Sequence, residues 1–307
     1  MSITDIYGLF GITVDSTLLG GITQTDDDTQ TEVANDALSG EVYNRWTAIT
    51  AQNPVSRWTT KHVAAWLAGI GLGGSNIGGL TGGLTYYLQK RAAGGGRASG
   101  SVHRSLKVND GLIIPRRLTV THGQDAELSY EAITIYDGAN DPVVIADTVS
   151  LPTGLTDAER FTLGPVSVGG VTIDHIRSLE IDFGITATPA SSDGDIWPTH
   201  ISIDSIAPMI TFRGVDPKWF SSSKVPLSGK AATHANTEIY LRKRAAGGTF
   251  VADATAEHIL LTAAGLARVT NPQSTQGNQP AETGIQITTS YDGSNAPIVI
   301  DTTSALP

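Results

Sequence analysis

The sequence predicts a mainly β protein built as two tandem copies of an antiparallel β-sandwich or half-barrel, each with a short flanking helix. Three observations lead there. The string YLQKRAAGG (Tyr87 to Gly95) returns as YLRKRAAGG (Tyr240 to Gly248). The stretch IRSLEIDFG alternates Leu179, Ile181 and Phe183 with Ser178, Glu180 and Asp182, the period-two pattern of a strand with one apolar and one wet face. The composition, 34 glycines among many Thr, Ser, Ile and Val, suits short strands joined by tight turns.

The repeat extends over the whole chain. Ile22 matches Ile176, and SGEVYNRWTAITAQNP (Ser39 to Pro54) matches DGDIWPTHISIDSIAP (Asp193 to Pro208). Trp58 falls on Phe212, Gly111-Leu112 on Gly265-Leu266, and GQDAE (Gly123 to Glu127) on GNQPAE (Gly277 to Glu282). YDGANDPVVI (Tyr136 to Ile145) matches YDGSNAPIVI (Tyr291 to Ile300), and each copy closes on a Leu-Pro, at Pro152 and Pro307. The offset stays nearly constant, so the domains are set at residues 1–155 and 156–307. A period this long belongs to fused domains and not to a solenoid.

Within each copy the elements follow in order. HISIDSI gives a second alternating strand, with Ile201 and Ile203 against Ser202 and Asp204. GIQITTSYDGSNAPIVI predicts two strands joined as a hairpin at the Asp-Gly. Glu180 and Asp182 fall on Asp26 and Asp28, giving both copies an acidic wet face, although Thr25, Asp27 and Thr29 stand where the second copy has apolar residues. The uncharged run from Val63 to Gln89 is long enough to span a bilayer. Its serial glycines and its charged counterpart, with Lys218, Lys224 and Lys230, argue against that. It reads as a short helix near His62 to Ala68 followed by a flexible loop.

The totals restrict the chemistry. The chain of 307 residues carries a net charge of −10, which disfavours gripping nucleic acid through its phosphates. It has no cysteine, which excludes disulfides, thiolate metal sites and cysteine nucleophiles. The start, MSITDIYGLFGITV, lacks a basic region ahead of an apolar run and predicts no secretory leader. The seven histidines make no pair at metal-ligand spacing, and no nucleophile elbow or Ser–His–Asp set is present. TDDDTQTE (Thr25 to Glu32) and the Asp137–Asp141 turn read as a solvated acidic strand and a turn, not as calcium loops. GLGGSNIGG (Gly71 to Gly79) resembles a phosphate loop in glycine count alone. No catalytic, cofactor-binding or metal residue is nominated. Lys90, Arg91, Lys243 and Arg244, in the repeated basic string, read either as solvated strand ends or as an intersubunit or inter-ring set that meets acidic faces of neighbouring subunits, and the repetition of the string favours the second.

In order and spacing, GGVTIDHIRSLEIDFG, DGDIWPTHISIDSIAPMITF and QPAETGIQITTSYDGSNAPIVIDTTSALP resemble the major tail tube proteins of long, flexible-tailed bacteriophages, with the same landmarks in the first copy. The resemblance implies a structural virion protein and not an enzyme. It implies inner strands that close around a ring into a lumen-facing barrel, and rings that stack into a tube through which the genome leaves. A doubled chain would form trimeric, pseudo-hexameric rings. The expected lumen-facing acids are Asp26, Asp28, Glu180, Asp182 and Asp204. The implied partners are further copies of the chain, tail-terminator, baseplate and tape-measure proteins, and viral DNA passing without specific binding, with no membrane and no cofactor. The implied location is the virion tail, assembled in the host cytoplasm. The alternatives are a single-ring distal tail or tail-terminator protein and, further off, a β-sandwich adhesin or glycan-binding module.

Overall fold

The computed structural model describes residues 6–37, 39–92, 95–155, 160–192, 194–215, 225, 232–245, 247–274 and 282–307. The chain is mainly β, with one short helix among the described residues. The first half runs β1 (Tyr7–Val14), β2 (Thr17–Leu19), β3 (Ile22–Asp28), β4 (Thr31–Asp36), β5 (Trp46–Gln52), β6 (Val55–Thr60), α1 (Val63–Ile70), β7 (Ser75–Asn76), β8 (Leu84–Lys90), β9 (His103–Val108), β10 (Gly111–Thr121), β11 (Glu127–Thr134) and β12 (Val143–Val149). The second half runs β13 (Arg160–Val168), β14 (Val171–Ile173), β15 (Ile176–Asp182), β16 (Ile185–Ala190), β17 (His200–Ile206), β18 (Met209–Gly214), β19 (Ala232–Arg244), β20 (His258–Ser274), β21 (Glu282–Thr289) and β22 (Ile298–Ser304). The expected boundary between residues 155 and 156 falls between β12 and β13.

Strand pairing recurs at the offset of the sequence repeat. Ile12 pairs with Leu19, and their counterparts Val166 and Ile173 pair with each other. Ile22 pairs with Thr60, and Ile176 with Gly214, at the same offset. Thr31 pairs with Gln52 and Ile185 with Ile206. The left-handed backbone positions recur too: Asp15 and Gly169, Ser16 and Gly170, Gly21 and His175, Gln30 and Gly184, Gly40 and Gly194 all have positive φ. Positive φ disfavours a Cβ, so turn geometry is matched where residue type is not.

One sheet of the first half has the order β12-β9-β8-β1-β2. A thirteen-stranded sheet runs β14-β13-β19-β20-β21-β18-β15-β10-β11-β6-β3, with β22 joined to β20 and β7 to β10, and passes through both halves. The first-half core lies between the two sheets. Trp58 of β6 stacks on Tyr130 of β11 at 5.6 Å and meets Tyr86 of β8 edge-on at 5.9 Å. Trp66 of α1 closes this cluster at 5.4 Å from Trp58 and donates its Nε1–H to Gly20 O at 3.1 Å. The equivalent space in the second half is aliphatic and phenyl: Phe212, Ile239, Leu261 and Ile285 are fully buried.

Two expectations are corrected. The Asp-Gly segments are not hairpins: β21 pairs with β18 and β20, and β22 pairs with β20. Asp292 Oδ1 accepts the backbone N–H of Ser294 and Asn295, as Asp137 Oδ1 does from Ala139 and Asn140. These side-chain caps turn the chain without pairing the strands it leaves. The glycine-rich run is also not a free loop. After α1, β7 pairs with β10, Ile77 is fully buried, and a Cβ on Gly74 would lie 2.8 Å from Ile113 O. The second-half counterpart of α1 lies outside the described residues. The helix is too short to cross a membrane.

Candidate functional site: a polar sheet face and two open edges

The halves meet through β10 and β15. Arg117 pairs with Asp182, Leu118 with Ile181, Thr119 with Glu180, Val120 with Leu179 and Thr121 with Ser178. Leu179 and Ile181 point into the core, while Glu180 is exposed. Residues directly opposite in adjacent strands share a face, so two rows can be followed across the large sheet. One runs Gln24, Thr59, Ser129, Arg117, Asp182, Met209, Thr288, Leu266. The next runs Glu127, Thr119, Glu180, Thr211, Gln286, Arg268. A groove of about 670 Å³ lies along this face, lined by Thr119, Glu180, Thr211, Arg213 and Gln286.

The face carries both charges. Arg117 lies 3.5 Å from Glu180. The buried Glu131 is held by Arg57 at 2.8 Å and by Arg116, whose guanidinium also donates to Ile185 O. Asp26 lies opposite Arg57 in the β3–β6 ladder. Asp26, Asp28, Glu180 and Asp182 therefore belong to one sheet surface, but with arginines interleaved. Asp204 is elsewhere: it sits on the separate β16–β17 hairpin, accepting from Ser202 at 3.2 Å and from Thr188.

The basic string has partners inside the chain. Lys243 Nζ lies 3.1 Å from Glu257. Arg244 reaches across to the first half, 3.4 Å from Asp125 Oδ1, and donates to Gly123 O at 3.1 Å. Asp125 also lies 3.3 Å from Lys61 and 3.7 Å from Arg160. Arg91 donates its backbone N–H to Ile6 O at 2.9 Å. The backbone N–H groups of Lys90 and Lys243 are both received by an imidazole Nδ1 at 3.0 Å, from the buried His103 and His258. Desolvation, reinforced by Arg97, lowers the pKa of His103 and favours the neutral ring that can accept. Sequence reasoning treated these histidines as scattered. Their matching places in the two halves, each shortly after the repeated basic string, were the available signal.

Among the open edges of the large sheet, beside the short β14 at its far end, two recur from the within-chain join. β3 is the end of the sheet order, paired only with β6. β20 pairs with β19 only as far as Ala267, so its stretch to Ser274 has β21 on one side and no described strand on the other. These are the positional equivalents of β15 and β10. Asp26 and Asp28 align with Glu180 and Asp182, and Asn271 aligns with Arg117 at the same offset. No protein-family model and no curated protein matches this chain.

Proposed function

We propose that this chain is a structural virion subunit that joins copies of itself, head to tail, into closed rings that stack as a phage tail tube. The observation that carries this reading is the β10–β15 join. The same two strand positions that close against each other inside the chain recur as β3, which ends the sheet order, and as the last part of β20, which among the described residues has a strand on one side only. An open edge is a template for pairing, and closing a sheet upon itself removes every edge. Because each chain already holds one such join, three chains would make a pseudo-hexameric ring with six.

The polar sheet face then lines the bore. Its paired acids and arginines offer DNA phosphates no contiguous basic track, and the net charge of −10 biases the surface against adsorption. DNA would pass without specific contacts. The end proteins of a tail, and the tape-measure protein within it, would be the further partners.

The test is negative-stain microscopy and native mass measurement of the purified full chain over a concentration series. Tubes, or rings of three chains, are expected. A single ring per particle that never stacks would move the assignment to a distal tail or terminator protein. A chain that remains monomeric when concentrated would defeat the proposal.

A further inference from the structure

Inside the chain the join between halves has a second component. The β16–β17 hairpin reaches from the second half onto the first. Gln52 N–H donates to Ile196 O at 2.7 Å, Tyr136 N–H donates to Pro198 O at 2.7 Å, and the Trp197 indole donates to Gln52 Oε1 at 2.9 Å. The rings of Tyr136 and Trp197 lie 5.4 Å apart, inclined by 40°. The arm follows directly after β15, so it docks beside the strand join.

Each half of this clamp has a positional equivalent without its counterpart. The β4–β5 hairpin follows β3 as β16–β17 follows β15. Its tip carries Val42 and Tyr43 at the positions that align with Ile196 and Trp197 of the other arm. Val42 is 91% exposed and Tyr43 84%. The receiving positions recur as well: Ile206 aligns with Gln52, and Tyr291 with Tyr136 in the repeated YDG turn. They are 44% and 64% exposed. The matching turn is also built: Ser290 N–H donates to Ala264 O as Ile135 N–H does to Asp110 O. Tyr291 N–H finds no carbonyl among the described residues, whereas Tyr136 N–H has Pro198 O. Exposed aromatics beside an unused backbone donor mark an interface, and Tyr is among the residues that dominate such contacts.

We propose that the Val42–Tyr43 tip of one chain docks onto Ile206 and Tyr291 of a second copy, with Tyr43 against Tyr291 as Trp197 lies against Tyr136, and with the Asn44 carbonyl receiving Tyr291 N–H. The occupant is a second copy because the chain already contains the complement, in the same position relative to the strand edge. The inference rests on the head-to-tail reading above and adds a latch beside the β3–β20 edge.

The pairing of two tyrosines gives a direct test. Photo-oxidation of assembled full-length protein should produce an interchain dityrosine, identified by mass spectrometry as a Tyr43–Tyr291 cross-linked peptide. Tyr43→Phe and Tyr291→Phe should each abolish that peptide. Tyr43→Ala should raise the concentration needed for assembly about tenfold. Tyr291→Ala should do the same, and the double variant should be no worse than either single one. Rings that form without this cross-link, and with additive alanine effects, would overturn the latch and leave the ring intact. A wild-type chain that never associates would overturn both.

Discussion

The two halves of the molecule solve the same packing problem differently. In the first, β9 and β10 are separate strands in separate sheets, broken at Asn109-Asp110, where Asp110 Oδ1 accepts the N–H of Gly111 at 2.7 Å. In the second, Ala263 and Ala264 occupy those positions and β20 runs unbroken from His258 to Ser274. A short polar side chain that competes for the backbone splits a strand; alanine lets it pass from one layer to the other. The cores differ in the same spirit, with Trp58, Trp66 and Tyr130 on one side and Phe212, Ile239 and Ile285 on the other. Pairing register survives both changes, which indicates that hydrophobic pattern and turn geometry carry the fold, and the identity of the core residues is secondary.

The sharpest way to break that comparison is to hollow each core in turn. Trp58→Ala and Phe212→Ala each remove a fully buried ring, and each should cost about 3–5 kcal/mol. Trp58 should lie at the upper end, since three aromatic neighbours lose contact with it. Urea melts followed by circular dichroism should show one shifted transition in both variants, because the β10–β15 ladder couples the halves. A Phe212→Ala chain with a second, unshifted transition would show that the halves fold independently.

Much of this was legible in the residues. The alternation at Leu179, Ile181 and Phe183 placed β15 and its core face correctly, and the glycine-broken run after Val63 ruled for a short helix. The joins were not legible. That β10 would pair with β15 depends on two strands far apart in the chain, and nothing local to either records it. Arg244, expected at a neighbouring subunit, finds a partner within the chain in Asp125, which is remote in sequence. The alignment sets Tyr43 on Trp197, but nothing in the sequence shows that the Trp197 ring docks on Tyr136. The YDG turns misled because an Asp that caps its own backbone looks the same whether or not the flanking strands pair.

The within-chain join and its open counterpart also differ in charge. Asp125 binds Lys61, Arg160 and Arg244, whereas its counterpart segment in the second half is Gln279-Pro280. The open edges instead carry Asp26, Asp27 and Asp28 on β3 and Pro272 on β20, residues that make an edge a poor template for indiscriminate pairing. Asp125→Ala should therefore destabilise the isolated chain by about 1 kcal/mol, and a double-mutant cycle with Arg244→Ala should show coupling. Additive effects would remove Asp125 from the join.

Turn chemistry gives smaller effects. Ser16 and Gln30 hold φ of 64° and 44° where the second half has Gly170 and Gly184. Ser16→Gly and Gln30→Gly should each stabilise by up to about 1 kcal/mol by relieving left-handed strain. The reverse change, Gly184→Gln, should cost more than either gains, because a Cβ there would come within 2.1 Å of Ala207 O. Thermal melts of the three variants would rank them; a destabilising Ser16→Gly would mean that the side chain, and not the backbone, holds that turn.

The smallest effect is a pH response shared by the two Asp-Gly turns. Backbone and side-chain donation from Asn295, with Ser294, holds the Asp292 carboxyl down at about 2, and Asn140 and Ala139 lower that of Asp137. A carboxylate stabilised in the folded chain contributes fully above its ordinary value of 3.8, and the contribution disappears as pH falls towards about 2. Both turns should therefore hold through mild acid and loosen only below pH 3.8. Carboxyl carbon shifts followed by NMR should give a midpoint of about 2 for Asp292 and a depressed one for Asp137. A midpoint at 3.8 in either would mean that its N–H donors are not engaged, and that the two turns, alike in sequence, are not alike in structure.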